Sequence, residues 1–164
     1  MSEFAPQPNS RTRLFEINLD QSSIARKKPH IDHEREVAIF DILESNEFKL
    51  VDVDDGPYRL DLSIVDDKLM MDVFNEGGDA VGSQGLSLQP FKKIIKDYFL
   101  VCDSYYEAIR TAPASKIQAI DIGRRGLHDE GSKLLVERLA GKIEVDFDTA
   151  RRLFTLICAL HWKG

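Results

Sequence analysis

Apolar and polar residues alternate between residues 48 and 88. A period of two is typical of strands with one buried face and one face in water. The alternation is interrupted by turn signals at Asp54-Asp55-Gly56-Pro57, Asp66-Asp67 and Asn75-Glu76-Gly77-Gly78-Asp79. Turns this short join antiparallel neighbours, because a parallel crossover needs a dozen or more residues. We therefore predict a four-stranded antiparallel meander over residues 48–88, with a further short strand at Leu14, Ile17 and Leu19.

Apolar residues recur at helical spacing on both sides of this segment. Asp32 is expected to cap a helix that runs to about Asn46, with one broad apolar face of Val37, Ile39, Phe40, Ile42 and Leu43. A longer helix is predicted to follow Pro90 and to stop near Pro113, with an apolar stripe of Phe91, Ile94, Ile95, Tyr98, Cys102, Tyr105 and Ile109.

The segment after Pro113 is predicted to hold short elements separated by a loop. Ser115 and Gln118 have the spacing of a capping box for a short helix to Ile122, although the alternation of Ile120 and Ile122 leaves a strand open as the alternative.

Gly123 is suited to a left-handed helix stop. The next helix is expected to begin near His128 or at Ser132 and to reach Gly141. Asp146 or Asp148 then caps a final helix, with Leu153, Phe154, Ile157 and Leu160 on one face.

Strands grouped first and helices afterwards predict an α+β domain, with the helices packed on one face of the meander and a helical C-terminal half. Residues 1–12 are polar and interrupted by proline, so we expect a disordered tail. Residues 13–164 suit a single domain with one core.

Charge and hydropathy exclude several classes of partner. A net charge of -6 makes a nucleic-acid partner a poor expectation, since affinity for phosphate backbones needs clustered cations. No apolar run is long enough to cross a bilayer, and no secretory signal is expected. A cytoplasmic protein without a membrane partner is predicted, with Cys102 and Cys158 as buried free thiols.

The strongest candidate site is the segment 121–131, which we call the glycine-arginine segment. Placed as a loop before a helix start, Arg124, Arg125 and His128 would form an anion site, because guanidinium groups and free backbone N–H groups both bind phosphate or carboxylate. The alternative is that both arginines pair with Asp121, Asp129 or Glu130 and hold the helices together.

A second polar set lies on the long helix. Tyr106, Glu107 and Arg110 would join the candidate site if the glycine-arginine segment folded against them. Ordinary packing with a surface ion pair between Glu107 and Arg110 is the alternative.

No motif indicates a cofactor or a metal. His30 and His33 beside Glu34 have a weak resemblance to metal ligands, but helix capping by Asp32 explains that polarity, and no metal is predicted. A phosphate-binding P-loop, a serine elbow and a dinucleotide fingerprint are all missing.

Five blocks of the sequence resemble a family of uncharacterised bacterial proteins, mainly from alphaproteobacteria. They are Gly56–Leu60, Pro90-Phe91 together with Ile95–Phe99, Ser104–Arg110, the glycine-arginine segment and Asp146–Phe154. The resemblance covers about residues 14–164 and implies a bacterial cytoplasmic protein. It transfers no activity, cofactor or catalytic residue.

These observations favour a non-enzymatic cytoplasmic protein that binds a protein partner or a small anionic ligand. One alternative is a small enzyme acting on a phosphorylated or carboxylated metabolite, with Arg124 and Arg125 holding the anion and His128 or Glu107 moving protons. Another is a structural homo-oligomer in which the apolar C-terminal helix forms a homodimer seam.

Overall fold

The computed structural model describes residues 11–20, 22 and 29–161, which form an α+β fold. In chain order the elements are β1 (Leu14–Leu19), α1 (Pro29–Glu44), β2 (Phe48–Leu50), β3 (Tyr58–Val65), β4 (Lys68–Phe74), β5 (Ala80–Ser87), α2 (Lys92–Thr111), α3 (Ala114–Leu139), β6 (Ile143–Val145) and α4 (Phe147–His161). A short 3-10 turn, Gln89–Phe91, precedes α2.

Of the predicted tail, residues 1–10 lie outside the described part of the chain. Arg11 donates from Nε to Asp54 Oδ1 at 2.9 Å, and the backbone N–H of Phe48 donates to the carbonyl of Thr12 at 3.0 Å.

The main sheet has the strand order β1-β3-β4-β5 and is mixed. β3, β4 and β5 are antiparallel neighbours as predicted, while β1 runs parallel to β3 at the edge. Asp66 and Asp67 form the two-residue turn between β3 and β4, with φ of 51° and 64°. Hairpin turns of this length favour positive φ, which aspartate tolerates better than most residues.

The prediction of four strands in one meander was wrong at its first strand. Phe48–Leu50 pairs antiparallel with Ile143–Val145 in a separate two-stranded sheet. The two partners are more than ninety residues apart along the chain, and alternation identifies a strand without identifying its neighbour.

One face of the main sheet is buried, and the other is polar. Tyr58, Leu60 and Leu62 of β3 are at most 1% exposed, whereas Arg59 and Asp61 lie on the opposite face and pair with each other. Helix α4 completes the core with a face that is at most 1% exposed, formed by Leu153, Phe154, Leu156 and Ile157. This face packs inside the chain, so a homodimer seam on α4, which was one of the alternatives, would have to use other residues of that helix.

Helix α1 begins at Pro29, so Asp32 lies in its first turn rather than at its cap. Proline is suited to a first helical turn, where no backbone N–H is needed. Asp32 instead pairs with Arg35 at 3.1 Å.

The single apolar face predicted for α1 was also wrong. Ala38 and Ile42 are buried, but Val37, Phe40 and Leu43 are 42%, 65% and 37% exposed. The described chain covers α1 from one side only, chiefly by α4 and β1.

Asn46 ties the end of α1 to β1. Its side-chain oxygen accepts the backbone N–H of Leu14 at 2.7 Å, and its side-chain nitrogen donates to the carbonyls of Leu14 and Ile42. The amide is 3% exposed, so it satisfies backbone groups that water does not reach.

The largest correction concerns the glycine-arginine segment, which is not a loop. Helix α3 runs without a break from Ala114 to Leu139 after an extended N-cap at Pro113. Neither the helix stop at Gly123, nor a strand at Ile120 and Ile122, nor a helix start at His128 or Ser132 is observed.

A glycine inside a helix costs about 1 kcal/mol relative to alanine, so three of them in one segment favoured a loop on local grounds. Packing against the rest of the chain favours the continuous helix instead. Gly131 lies directly against the ring of Phe154, where a Cβ would overlap the ring, and Leu135 and Leu139 are buried.

Both ends of the last segment behave as predicted. Gly141, with φ of 89°, follows α3 in the left-handed region. Asp146 accepts the backbone N–H of Thr149 at 3.3 Å and is thus the one of the two candidate aspartates that caps α4. Within the described residues, no helix combines the length and apolarity needed to span a membrane.

Candidate functional site

Residues of all four helices line an open cavity of about 430 Å³. The basic side chains that line it come mainly from α3 and α4, and they are Arg124, Arg125, His128, Arg151, Arg152 and, from α1, His33. Its acidic side chains are Glu34 and Asp41 from α1 and Asp148 from α4. The cavity therefore contains the three residues of the glycine-arginine segment that the sequence singled out.

Arg124 and Arg125 share one carboxylate. Arg124 donates from Nε to Asp121 Oδ1 at 3.0 Å, and Arg125 Nε lies 3.2 Å from Asp121 Oδ2. Residues three and four apart meet on a helix face, so this pairing follows from the unbroken α3. The hydrogen bond from Arg124 lowers the pKa of Asp121.

The two arginines differ in exposure. The Arg124 side chain is 24% exposed and its guanidinium lies 4.6 Å from the ring centre of Tyr105, whereas the Arg125 side chain is 62% exposed. The alternative predicted from the sequence, in which both arginines pair with a nearby carboxylate of the same chain, is therefore observed for Asp121. One carboxylate cannot neutralise two guanidinium groups, so the positive charge of this arginine pair exceeds the negative charge of Asp121.

Arg151 and Arg152 are site residues that the sequence analysis missed. Arg151 Nη1 lies 2.9 Å from Asp129 Oδ1. Arg152 forms no ion pair with any described residue. The signal was present, since both arginines lie beside the apolar face of the capped helix α4, but nothing in the sequence shows that α4 packs against α3.

His128 is buried between aromatic rings. It is 8% exposed, and its ring centre lies 5.4 Å from that of Tyr98 and 5.2 Å from that of Phe154. Its Nε2 is 2.8 Å from Thr155 Oγ1. The hydroxyl of Thr155 also lies 3.2 Å from the carbonyl oxygen of Arg151, and the tautomer of His128 decides whether Nε2 or the hydroxyl donates in the bond between them.

Nδ1 of His128 is buried and has no hydrogen-bond partner in the described part of the chain. Burial, together with the nearby charge of Arg151, lowers the pKa of His128 to about 4. The imidazole is therefore neutral near pH 7.

Glu34 links Tyr106 to the site. The Tyr106 hydroxyl donates to Glu34 Oε2 at 3.1 Å, and the Tyr98 hydroxyl to Glu34 Oε1 at 3.5 Å. Burial and the charge of Glu34 raise the pKa of Tyr106 to about 12. The tyrosine hydroxyl is therefore a stable donor rather than an acid near pH 7.

Glu107 and Arg110 are not brought into the cavity. Both are exposed, do not line it, and lie 3.7 Å apart as a surface ion pair. A surface ion pair between Glu107 and Arg110 was the alternative predicted from the sequence. An ion pair this exposed contributes little to stability.

Cys102 and Cys158 are buried free thiols, as predicted. Burial raises the pKa of Cys102 to about 12, so it is unreactive as a thiolate near pH 7. Over the ranges that the structure describes, histidine, cysteine, aspartate and glutamate side chains form no group of three or more that could hold a metal ion.

Comparison with known proteins places the chain among close relatives. Residues 11–163 match the model of "Uncharacterised protein family (UPF0262)". A UPF0262 protein from Chelativorans sp. (strain BNC1) is 58% identical over 156 residues, which cover 94% of this chain and 96% of the relative. One from Rhodopseudomonas palustris (strain HaA2) is 55% identical over 160 residues, covering 97% and 98%. A third, from Brucella canis, is 56% identical over 161 residues, covering 98% and 99%. No solved structure gives a significant match to the chain.

Proposed function

Because the chain belongs to the uncharacterised protein family UPF0262, whose relatives' names state no activity, we propose from the cavity alone that it binds a small ligand through a phosphate or carboxylate group. The observation that carries the proposal is the convergence of four arginines on one cavity of about 430 Å³. Ligand pockets commonly have volumes of a few hundred Å³ and a small number of polar groups that fix orientation.

Two of these arginines have capacity left for a ligand. Arg152 forms no ion pair with a described residue, and Arg125 shares its only carboxylate with Arg124. A guanidinium presents several N–H donors in a planar fork that matches both phosphate and carboxylate. Arg125 and Arg152 are therefore the proposed anion contacts, with Arg124 held in place by Asp121 and Tyr105.

The geometry supports binding more than proton transfer. A general base works best with a pKa near the operating pH, whereas burial keeps the pKa of His128 at about 4. Glu107, the other group considered for moving protons, does not line the cavity. The proposed role of His128 is to pack the cavity wall between Tyr98 and Phe154.

The proposal is tested by thermal denaturation in phosphate, glutarate or glutamate, with sodium chloride matched for ionic strength. A ligand at a hundredfold excess over Kd stabilises by about 2.7 kcal/mol, which is about 5–10 °C for a chain of this size. Loss of one charged hydrogen-bond donor is worth about 1.5–3 kcal/mol, so Arg152→Gln should weaken binding by about 10–100-fold.

Arg138→Gln is the matched control, because Arg138 is exposed on α3 and does not line the cavity. Its affinity for the anion should equal that of the unmodified protein. The proposal fails if no anion exceeds the effect of chloride, or if Arg138→Gln and Arg152→Gln lose affinity equally.

A further inference from the structure

The cavity has two walls of opposite charge. The arginines of α3 and α4 form the cationic wall, and Glu34 and Asp41 of α1 form the acidic wall. Glu34 and Asp41 are seven residues apart, close to two helical turns, so they lie on the same face of α1. Val37 and Ala38 lie between them and also line the cavity.

Among the residues that the structure describes, neither Glu34 nor Asp41 forms an ion pair with a cationic side chain. Asp41 is partly buried and forms no ion pair with any residue that the structure describes. Glu34 accepts hydrogen bonds from the hydroxyls of Tyr106 and Tyr98, which carry no charge. A partly buried carboxylate without a cationic partner is costly, and these two share a cavity with four arginines that form no ion pair with them.

Asp148 differs from these two carboxylates. It is exposed and lies in the first turn of α4, where the helix dipole stabilises a negative charge. The unpaired acidic charge is thus concentrated on α1, whereas Arg125 and Arg152 line the same cavity from α3 and α4.

We propose that the ligand is a small zwitterion, of the class of amino acids and aminoalkyl phosphates, whose anionic group binds Arg125 and Arg152 and whose ammonium group binds Glu34 and Asp41. This inference rests on the proposed anion binding and names the ligand class for the same cavity. An ammonium group offers three donors and a positive charge, so it can bond one of these carboxylates and stabilise the charge of the other. Val37 and Ala38 would offer apolar contact to the carbon chain that joins the two charged groups.

A ligand with negative charge alone would fit this cavity less well. A second anionic group would be repelled by Glu34 and Asp41, and an uncharged tail would leave both carboxylates without a cation. Binding should therefore discriminate between molecules that differ only in the ammonium group.

Isothermal titration of glutamate against glutarate, and of phosphoethanolamine against ethyl phosphate, tests the inference on the full chain. In each pair the first molecule should bind at least tenfold more tightly. Asp41→Asn should weaken this preference, because Glu34 alone remains for the ammonium group, while leaving glutarate at its original affinity or tighter. Asp103→Asn, at an exposed position outside the cavity, should retain the preference.

Glu34→Gln serves as the second variant, and a thermal transition recorded for each variant checks that it is folded. Equal binding of glutamate and glutarate, with Arg152→Gln still weakening both, would overturn the zwitterion and leave anion binding intact. Tight binding of putrescine without binding of glutamate would also overturn it. If no anion of either pair binds, the proposed function itself has failed.

Discussion

His128 shows how packing sets the chemistry of a single residue. The sequence placed it in a charged segment, where it was a candidate for moving protons. Its surroundings include the rings of Tyr98 and Phe154 and the charge of Arg151, and all of these depend on contacts between helices. The residue could be singled out from the sequence, but its protonation state could not, because desolvation is a property of the folded environment.

The depressed pKa of His128 predicts a loss of stability in mild acid. An unfolded histidine titrates near pH 6.5, and folded His128 titrates at about 4. Above pH 6.5 both states are neutral and the group contributes no pH dependence. As the pH falls from 6.5 toward 4, the unfolded state gains a proton that the folded state does not. The free energy of unfolding is therefore lower by about 2 kcal/mol at pH 5.

Urea denaturation at pH 7 and pH 5 measures this effect. The free energy of unfolding should fall more for the unmodified protein than for His128→Gln, and the difference should be about 2 kcal/mol. The same pH dependence in both proteins would show that His128 is not the group responsible.

At the scale of elements, local sequence patterns predicted the strands and helices correctly where residues that are neighbours in space are also neighbours in sequence. Alternation and the Asp66-Asp67 turn predicted β3 and β4, and Asp146 predicted the start of α4. The same patterns failed for α3 and β2. The glycines of α3 favour a break by propensity, and only the contact of Gly131 with Phe154 shows why a glycine is needed inside the helix.

The unbroken α3 predicts opposite effects for two substitutions of glycine by alanine. Gly131→Ala places a methyl group into the ring of Phe154 and should destabilise by about 1–3 kcal/mol, the usual cost of overpacking. Gly126→Ala has open space and should stabilise by up to about 1 kcal/mol, because alanine favours a helix interior.

Urea denaturation of both variants against the unmodified protein gives the comparison. A loss of stability in Gly126→Ala similar to that in Gly131→Ala would contradict a continuous helix at that position, since a loop glycine with special backbone angles would behave in this way.

At the scale of the whole molecule, the candidate site exists only because four helices meet. Arg124, Arg125 and His128 were accessible to sequence analysis because they are clustered in one segment. Arg152 and Asp41 could not be assigned to the site from the sequence, because they belong to helices more than a hundred residues apart. Only the fold brings these two helices to one cavity. A chain with a net charge of -6 thus concentrates four arginines at a single place, which composition alone would not predict.

The most direct test of the account is a titration of the protein with inorganic phosphate, followed by the ¹H–¹⁵N signals of the arginine side chains. The Nε–H signals of Arg125 and Arg152 should shift together and saturate with one Kd. Arg59 pairs with Asp61 on the outer face of the sheet and is the internal control, so its Nε–H signal should not shift. If the signals of Arg125 and Arg152 do not shift, or shift no more than that of Arg59 and without saturation, the cavity is not an anion site.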